Sequence, residues 1–284
     1  MAEKLGQTEE NCNLGNTKEI DNEVGEKREE EKGNSNISDA YVNTIKYLEM
    51  YLKFSKEVGD RTGEGKEYGK LGNTYYGLGD FQKAKEYHER HLKISTEVGD
   101  RVGEEIAYCN LGNAYHSLGY FQKALECHQR DLKISKEVGD RAGEGIAYHN
   151  LGNAYETVGD FQKAIEYHER RLRISKEEGD RAAEGIAYHN LGNAYSRLGY
   201  FQKAVEYHER YLKISKEVED RAGEGIAYCN LGNAFRNLGD FQKAIENHER
   251  HLKISKEMGD REDKQKRTVI LATPMKVLEI SRNP

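Results

Sequence analysis

Apolar side chains recur along this chain with the spacing of α-helices. One stripe, at intervals that return to the same helix face, consists of Ala147, Tyr148, Leu151, Ala154, Tyr155 and Val158. A second stripe with helical spacing follows and consists of Phe161, Ala164, Ile165, His168 and Leu172. Gly159 and Asp160 lie between the stripes and suit a left-handed helix end and a helix N-cap. The pattern therefore predicts an antiparallel pair, here called helix A and helix B.

This helical pair is repeated. The tripeptide LGN returns every 40 positions, with its glycine at Gly72, Gly112, Gly152, Gly192 and Gly232. The tetrapeptide FQKA keeps the same spacing and gives five units, 61–100, 101–140, 141–180, 181–220 and 221–260. One hairpin cannot bury both of its apolar faces, so successive hairpins must stack. The sequence predicts an all-α fold, a right-handed α-solenoid of stacked antiparallel hairpins.

Both ends depart from the repeat. Residues 1–26 are polar with an isolated NLGN at 13–16, and they are predicted to be a disordered or decayed remnant. Residues 27–60 form an irregular repeat that lacks six residues of the inter-helix turn. We expect Lys27–Val58 to form either one continuous helix or an incompletely packed end cap. Residues 261–284 form an irregular tail in which Pro274 interrupts any helix.

An array without capping helices leaves apolar surface at its ends, so either the tail covers that surface or the chain self-associates. Glu219 replaces a junction glycine, and we expect a local weak point there.

Composition narrows the function. The formal net charge of -6 argues against nucleic-acid binding without sequence preference, which needs an excess of Lys and Arg. No apolar run is long enough to cross a membrane, and the first ten residues are too polar for a signal peptide. The 4 cysteines have no C-x-x-C spacing. These features predict a cytoplasmic protein with free thiols.

Repeated histidines suggest a metal or catalytic site at first sight. They are His88, His128, His168, His208 and His248, each followed by a Glu or Gln. Consecutive helical residues point about 100° apart, so such a pair cannot act as one site. We interpret the histidines as packed, hydrogen-bonded residues of helix B. With no catalytic triad, phosphate loop or zinc motif present, the sequence predicts no enzyme activity, no metal and no cofactor.

The repeat resembles the tetratricopeptide family, in which an aromatic, Leu-Gly and Tyr follow one another on the first helix. Tyr148, Leu151, Gly152, Tyr155 and Ala164 match that family's pattern. His168 stands where the family has an aromatic, and Lys176 stands where it has proline. The 40-residue unit is similar to the repeats of Pins-like G-protein-signalling modulators and of multi-repeat scaffold proteins. The resemblance implies a surface, lined by the A helices, that binds a protein or peptide.

Asparagines dominate the A-helix positions outside the packing stripe. Two of them recur three residues apart and so share a helix face; the four pairs are Asn110 and Asn113, Asn150 and Asn153, Asn190 and Asn193, and Asn230 and Asn233. A carboxamide donates and accepts, so it matches the backbone of an extended peptide. The variable residues His149, His189 and Arg236 would then add specificity. Alternatively, the asparagines bond to the neighbouring repeat.

The sequence thus predicts a non-catalytic adaptor or scaffold, with signalling as one setting, that presents a groove to an extended peptide segment of a partner. Two alternatives stay open. The chain is a regulatory fragment of a larger enzyme or signalling protein, or it is a structural remnant without a ligand.

Overall fold

The computed structural model describes residues 40–259, which form eleven α-helices and, within that range, no β-strand. They divide into two compact units between Val98 and Gly99. The first contains α1 (residues 40–57), α2 (Arg61–Gly77) and α3 (Phe81–Val98). The second contains α4 (Arg101–Ser117), α5 (Phe121–Val138), α6 (Arg141–Thr157), α7 (Phe161–Glu178), α8 (Arg181–Arg197), α9 (Phe201–Glu217), α10 (Arg221–Asn237) and α11 (Phe241–Glu257).

Consecutive helices pack against one another within each unit, and the predicted all-α solenoid is confirmed. Helix α1 runs without a break from residue 40 to residue 57, across the position of the missing turn. The predictions for residues 1–26 and 261–284, and for the part of the 27–60 repeat before residue 40, lie outside the described residues.

Each junction between consecutive hairpins contains a residue in the left-handed conformation followed by a capping aspartate. The Asp140 carboxylate accepts a hydrogen bond from the Gly143 amide at 2.9 Å, which caps α6. Gly139 has a φ of 75° and ends α5. Glu219 keeps this conformation with a φ of 57°, and its side chain costs about 1 kcal/mol there relative to glycine. In the sequence GD at the junctions, the glycine therefore ends one helix and the aspartate caps the next.

The arginine after each capping aspartate joins the two ends of its hairpin. On α6, Arg141 forms an ion pair with Glu144 at 3.0 Å and a second one with Glu177 at the end of α7. The equivalent arginines Arg61, Arg101, Arg181 and Arg221 make the same two contacts. The arginines are exposed, so these pairs fix alignment more than they add stability.

The two helices of each hairpin meet where a histidine ring lies on a glycine. A Cβ atom at Gly152 would lie 2.3 Å from Cε1 of His168, so no other residue fits without a shift. The same contact joins Gly72 to His88, Gly112 to His128, Gly192 to His208 and Gly232 to His248. All five rings are buried. The helices therefore approach as closely as a backbone and an imidazole allow.

Burial keeps three of these histidines neutral. It lowers the pKa of His88 and of His128 to about 4 and the pKa of His208 to about 3, because an imidazolium loses its hydration there. Nε2 of His168 lies 3.2 Å from Oε1 of Glu156. The Nδ1 atoms of His88, His128, His168 and His208 have no hydrogen-bond partner among the described residues. The rings act mainly as packing groups, with less hydrogen bonding than the sequence suggested.

The next hairpin packs on the other side of each B helix. In the second unit, Leu125 of α5 forms a cluster with Leu151 and Ala154 of α6, and the same arrangement recurs one and two hairpins further on. The ring of Tyr155 stacks on that of Tyr167 at 5.4 Å. Val158 was expected in the packing stripe of α6, but 45% of it is exposed. It is the C-cap residue of α6, and there the chain leaves the helix face.

Replacing Gly152 with alanine should destabilise the protein by about 1–3 kcal/mol, because the added methyl group must displace the His168 ring. The free energy of unfolding in urea measures the change. In a His168→Ala background the same substitution should cost much less, since the two residues are coupled.

Gly225→Ala is the matched control, because its Cβ would lie 3.3 Å from the nearest atom, a methyl group of Ile254. Equal costs for Gly152→Ala and Gly225→Ala would show that the histidine contact does not limit the approach of the helices.

Candidate functional site

Asparagines link neighbouring A helices of the second unit. Nδ2 of Asn190 on α8 donates to Oδ1 of Asn153 on α6 at 3.4 Å. Asn230 on α10 donates to Asn193 on α8 at the same distance. Between α4 and α6, Asn150 donates to the Cys109 sulfur at 3.5 Å. The two N–H···O distances of 3.4 Å lie beyond the usual range for such bonds, so these links are weak and open to exchange.

The linked asparagines of the second unit, from Asn150 to Asn230, form a ladder. The histidines next to this ladder hold its asparagines in place. Nε2 of His149 lies 3.0 Å from Nδ2 of Asn153, and its Nδ1 lies 3.4 Å from Nδ2 of Asn190. His189 repeats this arrangement with Asn193 and Asn230. Burial, His168 and Arg171 lower the pKa of His149 to about 4, so its ring is neutral. Both histidines orient carboxamides inside the array.

A polar groove of about 970 Å³ runs across the C-terminal halves of three A helices, α6, α8 and α10. Its lining residues are Glu156, Thr157, Phe161, Asn193, Ser196, Arg197, Phe201, His208, Asn230, Asn233, Ala234 and Asn237. Two phenylalanines that begin B helices stand among amides and hydroxyls. The groove therefore offers hydrogen bonds along its length and two apolar contacts.

Three of the predicted site residues line this groove, Asn193, Asn230 and Asn233. The others lie outside its lining and are half-buried on the A helices, namely Asn110, Asn113, Asn150, Asn153, Asn190, His149, His189 and Arg236. The sequence prediction missed Phe161 and Phe201 as lining residues, because both matched the packing stripe of helix B. Their place directly after the turn, beside the end of helix A, was the available signal.

The groove has a balanced charge. Glu156 and Arg197 are the charged residues of its lining, and the Arg197 guanidinium lies over the Phe161 ring, 5.5 Å from its centre. Within residues 40–259, no three His, Cys, Asp or Glu side chains are grouped as they would be to ligate a metal ion. Nor does any helix in that range have the length and apolar character needed to cross a bilayer.

A pair of buried acids distinguishes the first hairpin of the second unit. Glu105 stands where the four other hairpins have a glycine, Gly65, Gly145, Gly185 and Gly225. Ser135 Oγ donates to the Glu105 carboxylate at 2.6 Å. Asp131 faces Glu105 and hydrogen-bonds to Cys109.

Burial, with Glu105 next, raises the pKa of Asp131 to about 7, and burial also raises the pKa of Glu105. The nearby Asp140 adds a further negative charge. One oxygen of each buried acid, Oδ2 of Asp131 and Oε2 of Glu105, has no hydrogen-bond partner within the described chain. Asp131 therefore binds a proton at a pH where ordinary carboxyl groups are ionised.

Stacked helical hairpins with a groove along their A helices define a class, the α-solenoid repeat proteins. The tetratricopeptide repeat profile matches four overlapping segments, residues 64–137, 104–177, 146–217 and 183–257. The chain belongs to the tetratricopeptide repeat family, whose repeats generally mediate contacts between proteins.

Similar proteins share parts of this array. Over 48 residues the chain is 42% identical to human G-protein-signaling modulator 1, and the match spans 17% of this chain and 7% of that protein. Among solved structures, BtubC from P. vanneervenii has a TM-score of 0.70 with 24% identity, over 78% of this chain and 93% of its own. A signal transduction ATPase with a tetratricopeptide repeat sensor, from Pyrococcus horikoshii, has a TM-score of 0.66 with 22% identity, over 72% of this chain and 32% of its own. These structural similarities show the fold.

Replacing Asp131 with asparagine should change how stability depends on pH. The folded protein holds a proton on Asp131 between pH 3.8 and about 7, whereas an unfolded chain releases it. The contribution of Asp131 to stability therefore falls as pH rises through this window, by at most about 1.4 kcal/mol per pH unit. Asp131→Asn removes that loss, so its free energy of unfolding, minus that of the wild type, should rise across the window and level off above it.

Urea unfolding at a series of pH values measures this difference, and the buried histidines cancel because both proteins contain them. Glu126→Gln, an exposed change on the same helix, should give a flat difference. A flat difference for Asp131→Asn would show that Asp131 is ionised in the fold throughout the window.

Proposed function

We propose that this chain is a non-catalytic adaptor whose second unit holds an extended peptide segment of a partner protein. The observation that supports it is the groove of about 970 Å³ lined by four asparagines, Asn193, Asn230, Asn233 and Asn237. Carboxamides can pair with the N–H and C=O groups of an extended backbone whatever its side chains are. The ligand that fits best is therefore a peptide without secondary structure of its own.

The hydrogen bonds inside the ladder leave capacity for such a ligand. Asn193 accepts one bond from Asn230 and lies 3.0 Å from the His189 ring. A carboxamide has two N–H groups and two lone pairs, so one donor and one acceptor site remain. The existing bonds also restrict the rotamer, which lowers the entropy cost of binding.

The lining also indicates the side chains that the peptide carries. Phe161 and Phe201 lie on neighbouring hairpins, so they favour two apolar side chains separated by a few residues. Since Glu156 and Arg197 carry opposite charges, a strongly charged peptide gains little from this groove. We propose a peptide with spaced apolar residues and low net charge. The short similarity to a G-protein-signaling modulator favours a signalling role.

A second candidate is a purely structural ladder. The bonds from Asn190 to Asn153 and from Asn230 to Asn193 tie neighbouring hairpins together without any ligand. On this hypothesis the asparagines stabilise the stack and the groove is a by-product of its curvature.

Peptides selected from a displayed random library against the full chain should lose affinity when Asn193 and Asn233 are replaced by alanine. Two lost hydrogen bonds at about 1 kcal/mol each predict a loss of roughly 10-fold to 100-fold. Fluorescence anisotropy of the labelled peptide measures the affinity. Because the charges of the lining balance, the affinity should change little with salt.

Asn247→Ala is the matched control, since it removes the same carboxamide from a half-buried site on α11 outside the groove lining and should leave the affinity unchanged. Urea unfolding of each variant separates the two candidates. A loss of stability in Asn193→Ala and Asn233→Ala with unchanged peptide affinity, or a library that yields no peptide, would favour the structural ladder.

A further inference from the structure

Helix α1 exposes an apolar face. Tyr47, Met50, Tyr51 and Phe54 lie on one stripe, and between 55% and 64% of each is exposed. By the 40-residue register, Phe54 corresponds to the isoleucines Ile94, Ile134, Ile174, Ile214 and Ile254, which are only 1–4% exposed. In those hairpins the helix A of the same unit covers this face, as the close approach of Ile174 to Gly145 shows. Helix α1 therefore has the surface of a B helix whose A helix is absent from the described chain.

A slot remains beside α1. It measures about 280 Å³ and is lined by Thr44, Tyr47, Leu48 and Tyr51 of α1 together with Glu67 and Lys70 of α2. Leu48 occupies the register position of the histidines that pack on glycine, such as His88 on Gly72. A helix that enters the slot therefore needs a glycine opposite Leu48.

The residues directly before α1 are poorly suited to fill the slot. The six turn residues that would let them reverse direction are missing.

An earlier segment carries the required glycine within the repeat's LGN motif. Residues 12–16 read CNLGN, which is identical to Cys109–Asn113 on α4 and Cys229–Asn233 on α10. Thr17 follows as Thr74 does on α2, and Glu10 matches Glu67. We propose that residues 3–20 dock beside α1 as the missing helix A, with Gly15 against Leu48.

The chain between them is long enough. Residues 21–39 can span up to about 60 Å, whereas three residues, 78–80, suffice between α2 and α3. Closing a longer loop costs little more, because the entropy loss grows only with the logarithm of its length. The docked segment and α1 would then form a complete hairpin with an enlarged turn. This inference is independent of the peptide groove.

The repeat register predicts a contact between Cys12 of the docked segment and Lys70 on α2. On α6, Asn150 donates to the sulfur of Cys109 on the preceding A helix. Cys12 takes the place of Cys109, and Lys70 on α2 takes the place of Asn150. Docking therefore places Cys12 beside residue 70, which also lines the slot.

The full-length Lys70→Cys variant, treated with a short bismaleimide, should form a cross-link within a single chain between Cys12 and the introduced thiol. We expect this link to form about 10-fold faster or more than the corresponding link from Cys12 in the Lys83→Cys control, because a docked thiol exceeds the effective concentration of a merely tethered one. Lys83 is on α3 and 54% of its side chain is exposed. Mass spectrometry of proteolytic peptides identifies the link, and gel mobility separates one chain from two.

A second change tests the register. Gly15→Val in the Lys70→Cys protein should lower the rate to that of the Lys83→Cys control, because the side chain collides with Leu48, whereas Gly33→Val should leave the rate unchanged. Equal rates for the Lys70→Cys and Lys83→Cys proteins would overturn the proposal, and so would a link found only between two chains. The latter result would assign the slot to a second copy.

Discussion

The contact between a glycine on each A helix and a histidine ring on its B helix sets the geometry on which the hairpins depend. Glycine lets the backbone of one helix reach the imidazole of the other, and burial lowers the pKa of the rings of His88, His128 and His208. With this spacing fixed, Leu125 reaches Leu151 of the next hairpin and Tyr155 stacks on Tyr167. Within the second unit, a bulkier residue at one of these glycines would separate the helices and shift the hairpins packed beyond it, since a packed interior transmits strain.

The candidate groove depends on that stacking. Neighbouring A helices come close enough for one carboxamide to reach the next, so Asn193 and Asn230 both link the hairpins and line the groove. Weak, partly exposed bonds suit this double use. They hold the side chains in place without using all of their hydrogen-bonding groups, and a ligand can add bonds without first breaking the stack.

Residues that depart from the repeat consensus give individual hairpins properties that the others lack. Glu105 and Asp131 put two carboxyl groups into a space that glycine and a larger side chain fill elsewhere, and the hairpin thereby binds protons near neutral pH. Helix α1 replaces a histidine with Leu48 and carries Tyr47, Tyr51 and Phe54 on an open face. Both sites were visible as exceptions only because the remaining units agree so closely.

The sequence by itself determined the helices and their pairing. The 40-residue period, the GD junctions and the apolar stripes fixed where Arg141 begins α6 and Phe161 begins α7, because local turn chemistry and helical periodicity act within a few residues. The buried positions of Gly152, Ala164 and His168 followed from the same stripes.

Only the tertiary structure decided which polar residues share a surface. The sequence marked eight asparagines as equivalent, yet three of them line the groove, together with Phe161 and Phe201, which were assigned to packing. The raised pKa of Asp131 likewise depends on a neighbour from another helix, Glu105. Periodicity specifies the face on which a side chain lies, whereas the curvature of the stack and the side chains across each junction decide what that face meets.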